Sequence, residues 1–532
     1  MPLLNVMATL TRREKVGEGT YGTVYTAEQK EGDVETVVAV KRNYKDLTSR
    51  WCGNVRELDM LTLLKGHPFI VELMGVCFKN PFTGDGRPMT PVDEEKRGMM
   101  DDTVHFVMEY VPTPLPRLIR STTLYYTMYM AKLLSLQLLI GLEWMHARGV
   151  AHRDLKTPNL LVSLDAAEGP RLRICDFGMS HVVPSGTPPT PSVTTSWYRS
   201  PEICCGAPYG FPADMWAAGC VIFEMFSGFA FLRDCTDNNN MLFSAILGRL
   251  PVAPDRDVVS RLFAAGRPCQ IYPEASPIRR PSIIERMELS PARITEFLED
   301  QGTFEELADL LSKLLALDPH ERLTASQALE HPFFAWLHPY TTGMRGLYPP
   351  MAPALPVIKI ISCVERKWVI NLANHLYNSR GRMSWYKHRI MFHAIDLFDR
   401  YLEWSWSHST LTEHESTTVG RLHTRGDTEL RFYVCLYLFH KYYATMTLPI
   451  VWERFTAPEF TNASSLIVAE AFETSLLDIC GYRLHRDTLL EICYQYQPNA
   501  SETTLRNLML QYGQVDAFSG GSVRALYRTL SH

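Results

Sequence analysis

Two short segments constrain this chain more than anything else in it. They are His152-Arg153-Asp154-Leu155-Lys156-Thr157-Pro158-Asn159 and, seventeen positions past the asparagine, Asp176-Phe177-Gly178. The first offers a carboxylate that can accept a hydroxyl proton, a lysine two residues on, and an amide oxygen three beyond that. The second offers another carboxylate, followed by a glycine whose backbone is unrestricted. A base, a charge clamp and two ligands for magnesium are the parts that phosphoryl transfer from ATP requires. The rest of the chain must then supply a phosphate cradle and a hold on the triphosphate.

Upstream lies Gly17-Glu18-Gly19-Thr20-Tyr21-Gly22-Thr23-Val24-Tyr25, flanked by residues that alternate as in a hairpin. Its glycines let backbone N–H groups approach phosphate oxygens. The same spacing serves dinucleotide folds, but there it joins a strand to a helix, whereas here β-prone residues continue after it. Val37-Val38-Ala39-Val40-Lys41 reads as a strand ending in a lysine that can neutralise the α- and β-phosphates if an acid holds it. Val55 to Leu64 places Leu58, Leu61 and Leu64 on one helical face, and Arg56-Glu57 opens that stretch. Glu57 is the candidate acid; the alternative is one more exposed helix carboxylate. Asn80 to Asp102, rich in Gly, Pro and charge, reads as a surface excursion. Thr103 to Val111 returns to strand character and ends in a hinge segment, Met108-Glu109-Tyr110-Val111. Downstream, Tyr125 to His146 is a helix pattern stopped at Gly149. Then come Thr195-Ser196-Trp197-Tyr198-Arg199-Ser200-Pro201-Glu202, Asp214-Met215-Trp216 and Arg322.

At 532 residues the chain is too long for one ordinary core. A net charge of −5 gives no reason to expect a nucleic-acid partner or an anionic membrane surface. The twelve cysteines show no paired CxxC spacing, and Cys204 and Cys205 are adjacent, so reduced thiols in an intracellular compartment, cytoplasm or nucleus, are the expectation. Met1 to Thr11 lacks the pattern of a signal peptide. Leu133 to Met145 is shorter than the ~18 residues a membrane helix needs, so no membrane span is expected.

Over residues 10–337 the ordered motifs resemble a eukaryotic protein kinase, and within that group a cyclin-dependent kinase. The glycine loop with adjacent Thr20 and Tyr21, the Val55-Arg56-Glu57-Leu58 stretch and the Trp197-Tyr198-Arg199 before Pro201-Glu202 carry the closer likeness. The resemblance implies an α+β bilobal fold, N-lobe 10–111 and C-lobe 112–337. It implies Asp154 as base, Lys156 near the γ-phosphate, and Asn159 and Asp176 as magnesium ligands. ATP would be held by Val16, Gly17, Glu18, Gly19, Thr20, Tyr21, Gly22, Val24, Ala39, Lys41, Glu57, Met108 (as gatekeeper), Glu109, Val111 and Leu161. Glu202 would pair with Arg322 to brace the lobe. Lys156 after the aspartate is the serine/threonine signature, and Arg199 with Val193-Thr194 implies a preference for proline after the target residue.

Three departures stand out. Thr157 intervenes where the family has proline directly after the lysine, and Ser200 replaces an alanine before Pro201-Glu202. His181 stands where the family carries an arginine that, with the equivalents of Arg56 and Arg153, binds an activating phosphothreonine. By the resemblance Thr190, followed by Pro191, falls at the phosphoacceptor position, which implies an upstream kinase as partner; the alternative is an unmodified residue in a Ser/Thr/Pro-rich tract. Leu250 to Leu298 is the Pro/Arg-rich segment where the group carries an insert.

Residues 338–356 are rich in Pro and Gly and read as a linker. Residues 357–532 then show helical patterns without strand alternation. Asp396-Leu397-Phe398-Asp399-Arg400-Tyr401-Leu402, His440-Lys441-Tyr442-Tyr443, and Glu473 followed by Gly481-Tyr482-Arg483-Leu484 resemble, in order, helices of a cyclin box. Lys441 and Glu473 match the pair that in cyclins faces the kinase's Arg-Glu helix. The expectation is an all-α cyclin-like helical domain docking intramolecularly on the Arg56-Glu57 helix and activating a kinase that phosphorylates proteins. The alternatives are a kinase-fold scaffold, or a kinase activated by a separate cyclin while the C-terminal helices bind another partner.

Overall fold

The computed structural model describes residues 10–350 apart from 20–21, 32–33, 44–51, 78–104, 122–125, 166–168, 183–195, 234, 236–237, 251–255 and 266–300; of the last stretch, 283 and 287 are described. It also describes 393–398, 400–401 and 435. The N-terminal lobe is a five-stranded antiparallel sheet in the order β1-β2-β3-β5-β4, with strands β1 (Leu10–Gly19), β2 (Gly22–Glu31), β3 (Val34–Asn43), β4 (Leu73–Cys77) and β5 (His105–Glu109). Helix α1 (Cys52–Leu63) joins β3 to β4.

Register decides which residues of this sheet share a face. Lys41 lies opposite Val24 on one side and Phe106 on the other, and Ala39 opposite Thr26 and Met108. Side chains alternate along a strand, so Val24, Ala39, Lys41 and Met108 fall on one face. The opposite face gathers Ala27, Val38, Val40 and Val107 with Leu10 and Cys77 in a small apolar cluster of its own. Both faces are thus covered, which is why Val38-Ala39-Val40 reads as an unbroken apolar run.

The second lobe is mainly helical: α2 (Leu115–Ile119), α3 (Met128–Ala147), α4 (Pro201–Cys205), α5 (Phe211–Ser227), α6 (Asn239–Arg249), α7 (Arg256–Ala265), α8 (Gln301–Leu314), α9 (Ala325–Leu329) and α10 (His338–Leu347). Short strands β6 (Thr113–Pro114), β8 (Leu160–Asp165) and β9 (Gly169–Ile174) form a three-stranded sheet, and β7 (Val150–Ala151) pairs with β10 (His181–Val182). Thr127 caps α3 by accepting from the Met130 N–H at 3.1 Å, and Gly149, at φ 76°, follows its end as the sequence predicts. Buried α5 is the axis of the lobe; a Cβ on Gly219 would sit 3.0–3.1 Å from Leu314 and Leu315, so the glycine sets how closely the chain around the end of α8 approaches. No helix among the described residues is long and apolar enough to cross a membrane, and the described cysteines are free thiols.

The stretch from 338, expected to be linker, begins instead as α10. Pro339 falls in the first turn, where its missing N–H is no loss. Arg345 then fastens the helix to α3, its Nε and Nη2 reaching the two oxygens of buried Glu143 at 3.0 and 2.7 Å. In the C-terminal half, residues 393–398 and 400–401 are helical, with Ala394, Ile395, Leu397, Phe398 and Tyr401 buried and Arg400 pairing with Asp396 at 3.1 Å. Lys441, Glu473 and the segments 440–443 and 481–484 lie outside the described residues.

Candidate active site

The His152–Asn159 loop leaves β7 through an unusual backbone state: Arg153 is left-handed at φ 69°. Asp214, buried on α5, holds it there. Its Oδ2 accepts from the His152 N–H at 2.8 Å and lies 3.0 Å from His146 Nε2, and its Oδ1 accepts from the Arg153 N–H at 2.9 Å. Burial alone would raise the Asp214 carboxyl, but His146 and these neighbours hold it below the ordinary carboxylate range. His152 accepts from the Asp154 N–H on Nδ1 at 3.3 Å and donates from Nε2 to the Cys175 carbonyl at 3.1 Å, which joins the two motifs. Within the loop, Lys156 Nζ sits 2.7 Å from Asp154 Oδ2, and Asn159 donates from Nδ2 to the Asp154 carbonyl at 2.8 Å.

The triphosphate end assembles from three distant stretches. Lys41 Nζ lies 2.6 Å from Glu57 Oε1 on α1 and 3.0 Å from Asp176 Oδ1. Burial disfavours the Lys41 ammonium, yet the two carboxylates outweigh it and hold the lysine above its ordinary value, hence charged. Asp176 shows the reverse balance: burial raises it, and Lys41 pulls it below the usual range. It too is left-handed, at φ 65°. Gly22 opposes Gly19 across the hairpin, and a Cβ there would run into the Arg42 carbonyl oxygen, so that end of β2 can lie on β3 only as glycine. A Cβ on Gly17 would meet Val24 at 3.8 Å, an ordinary contact. Glu18 is exposed and paired with Lys15 at 2.5 Å, which leaves its backbone rather than its carboxylate for a phosphate; Val16 is exposed as well. Ala39, Met108 and Val111 are buried, and Leu161, partly buried on β8, pairs with Pro114 just past Val111. Thr20, Tyr21, Thr190, Val193 and Thr194 lie outside the described residues.

Arg173, Glu72 and Glu224 carry no sequence signal, and each supports a residue that does. The Glu109 carboxylate accepts from Arg173 Nε at 2.7 Å and from the Glu72 N–H at 3.0 Å, while its own N–H donates to the Glu72 carbonyl at 3.0 Å. Its side chain therefore braces the hinge against β9. Arg173 also donates to the Pro68 carbonyl. Thr157 places its hydroxyl 3.2 Å from Glu224 Oε1 and 3.1 Å from the Tyr198 hydroxyl, which donates to Glu224 Oε2 at 2.6 Å. Arg322 meets Glu202 through two bonds of 2.8 and 3.0 Å. Arg56, Arg153 and His181 are all buried; Arg153 donates to the Tyr209 hydroxyl, and Arg199 donates to Asn239 at 2.7 Å.

A hard divalent ion prefers oxygen donors and keeps sites open for phosphate oxygens. The residues present fit one. Asn159 commits its Nδ2 inward, which leaves its amide oxygen available, and Asp176 is held as a carboxylate. No cluster of three or more His, Cys, Asp or Glu suited to a resident metal occurs among the described residues.

Residues 10–334 match the protein kinase domain family. Over 344 residues the chain is 31% identical to cyclin-dependent kinase B2-2 of Arabidopsis thaliana, covering 63% of this chain and 95% of that protein. It is 33% identical over 336 residues to cell division control protein 2 homolog 1 of Trypanosoma brucei brucei, covering 61% and 97%. The crystal structure of the yeast RNA Pol II CTD kinase CTDK-1 complex matches with a TM-score of 0.48 at 24% identity, over 61% of this chain and 92% of that one.

Proposed function

We propose, from the premise that this chain belongs to the protein kinase family and is a serine/threonine kinase of the cyclin-dependent type, that it phosphorylates Ser or Thr followed by proline and carries a cyclin-like activator in its own C-terminal half. The observation that carries this reading is the closed chain Glu57–Lys41–Asp176. Glu57 can reach Lys41 only when α1 packs inward, the state phosphoryl transfer needs. Buried residues of 394–401 and Cys435 belong to the same apolar cluster as Leu58, Met60 and Leu61 of α1, which favours an activator in cis.

In this reading the glycine loop covers the phosphates and Lys41 clamps the α- and β-phosphates. Asn159 and Asp176 would hold Mg2+, whose charge offsets that developing on the phosphates when it is bound. The substrate hydroxyl attacks the γ-phosphorus as the bond to the β–γ bridging oxygen breaks. Asp154 takes the hydroxyl proton, and Lys156, 2.7 Å from it, pairs with that carboxylate and meets the γ-phosphate. The adenine lies between Ala39 and Leu161, against the hinge backbone beyond Met108.

Radiolabelled phosphate transfer to a Ser-Pro peptide tests the proposal. The full chain should be active, Asp154→Asn inactive, and deletion of 357–532 should lower the rate about tenfold or more, with recovery when that fragment is added back. An unchanged rate after deletion would sink activation in cis, and stoichiometric recovery of a free cyclin with the purified protein would move the activator to a separate chain.

A further inference from the structure

We infer that Tyr348 is a positioning residue: the chain leaving the helical lobe clasps the turn at the foot of α1 and so keeps Glu57 on Lys41. Tyr348 closes α10, donating its N–H to the Met344 carbonyl at 2.8 Å. With α10 fastened to Glu143 through Arg345, the Tyr348 ring comes to rest on two others. It meets His67 edge-on, with centroids 5.3 Å apart at 74°, and Trp144 at 6.3 Å and 79°. His67 and Trp144 stack on each other at 4.8 Å and 27°, and the Arg148 guanidinium covers the Trp144 ring at 3.0 Å. His67 belongs to the turn between α1 and β4, Trp144 to α3, and Tyr348 to the chain past α10. One aromatic stack therefore joins the N-terminal lobe, the helical lobe and the chain that leaves it.

The turn it grips is the base from which α1 projects. The Leu64 N–H donates back to the Met60 carbonyl at 2.9 Å, so the helix runs directly into the turn. There His67 Nδ1 accepts from the Phe69 N–H at 3.3 Å and the His67 carbonyl from the Ile70 N–H at 3.1 Å. Ile174, two residues before Asp176, donates to the Phe69 carbonyl at 2.9 Å and accepts from the Val71 N–H at 3.0 Å. These bonds tie the turn to the strand leading into Asp176. The Tyr348 stack ties it to the helical lobe. Both tethers act on the foot of the helix whose Glu57 sits 2.6 Å from Lys41. Burial, aided by Arg148 and Arg173, keeps His67 uncharged, so three neutral rings meet. Tyr348 is only partly buried, and its removal leaves the cores of both lobes in place. The clasp lies wholly within residues 67–348 and stands whether or not the C-terminal half is an activator.

The test uses the full-length chain with Tyr348→Ala, Tyr348→Phe and, as a control, Leu347→Ala at a neighbouring side chain 74% exposed. Deuterium uptake over residues 52–67 and steady-state kinetics against ATP are both read. Tyr348→Ala should raise uptake over 52–67 and lower kcat/KM for ATP about tenfold with peptide KM within about twofold of the parent, while Tyr348→Phe and Leu347→Ala match the parent on both readouts. In a Glu57→Gln background Tyr348→Ala should add less than about twofold, because it acts through Glu57. Parent-like exchange in Tyr348→Ala, equal damage from Tyr348→Phe, or a full additional loss on top of Glu57→Gln would each overturn the inference. The exchange readout needs no turnover, so it decides this point even where the peptide assay goes against the proposed activity.

Discussion

Thr157 shows how a departure from family pattern becomes a structural part. A proline after Lys156 would stiffen the loop; the threonine instead supplies a hydroxyl to a buried pair, Glu224 and Tyr198, whose own contact is 2.6 Å. Burial raises the Glu224 carboxyl, and its two hydroxyl neighbours work against that rise. Thr157→Ala should therefore destabilise the chain by about 1–3 kcal/mol, the range for removing one partner from a buried polar group. Urea unfolding at neutral pH reads it, and a change under about 0.3 kcal/mol would show the hydroxyl to be idle. His67 gives a pH signature. Its unfolded imidazole takes a proton near 6.5, whereas burial pushes the folded one down to about 3. Between those values the unfolded state binds the extra proton, so stability falls with falling pH by up to about 1.4 kcal/mol per unit from this group. His67→Phe should flatten that limb between pH 6 and 5, and parallel curves for parent and variant would refute the assignment. At this scale the sequence displays residues whose chemistry is local to a motif, such as Asp154, Asn159 and Asp176. It hides Asp214's grip on the loop and Arg173's on Glu109, because those contacts form only when distant segments return to one place.

At the scale of elements, β1 and β2 were legible from the alternation that flanks the glycine loop, β3 as an apolar run ending in a lysine, and α3 because its apolar stretch is long. The two-residue strands β6, β7 and β10 have no period to read. Helix α10 was obscured by composition: Pro339, Gly343 and Gly346 read as linker, and only the reach of Arg345 to Glu143 shows why a helix with two glycines holds. The glycine loop illustrates the opposite case, in which sequence and geometry agree at a particular residue. Gly22 lies opposite Asn43 and so close to the Arg42 carbonyl that any Cβ forces the strands apart. Gly22→Ala should shift the hairpin above Lys41, raising KM for ATP about tenfold while leaving the helical lobe, and so the thermal midpoint, little changed. A variant with parent-like KM would show that the loop closes without this register.

For the whole molecule, the order of motifs foretold two lobes with the chemistry between them; how the lobes are fastened was foretold only in part. Arg322 and Glu202 were marked as a brace, and both are buried. Arg322 also donates to the carbonyls of Ala316 and Pro212, at 3.1 and 2.6 Å, so one guanidinium ties α4, the start of α5 and the segment between α8 and α9. Its value lies in connection more than in net attraction, since taking two charges out of water offsets most of their Coulomb gain. Removing one partner is another matter, because the remaining charge is left buried. Arg322→Leu should cost about 3–5 kcal/mol in urea unfolding, and adding Glu202→Leu should recover part of that loss. Recovery is expected to be partial, since the two backbone carbonyls still lose the Arg322 donor. If the double variant proves no more stable than Arg322→Leu alone, the stranded Glu202 charge is not the source of the loss, and the carbonyl contacts carry the brace.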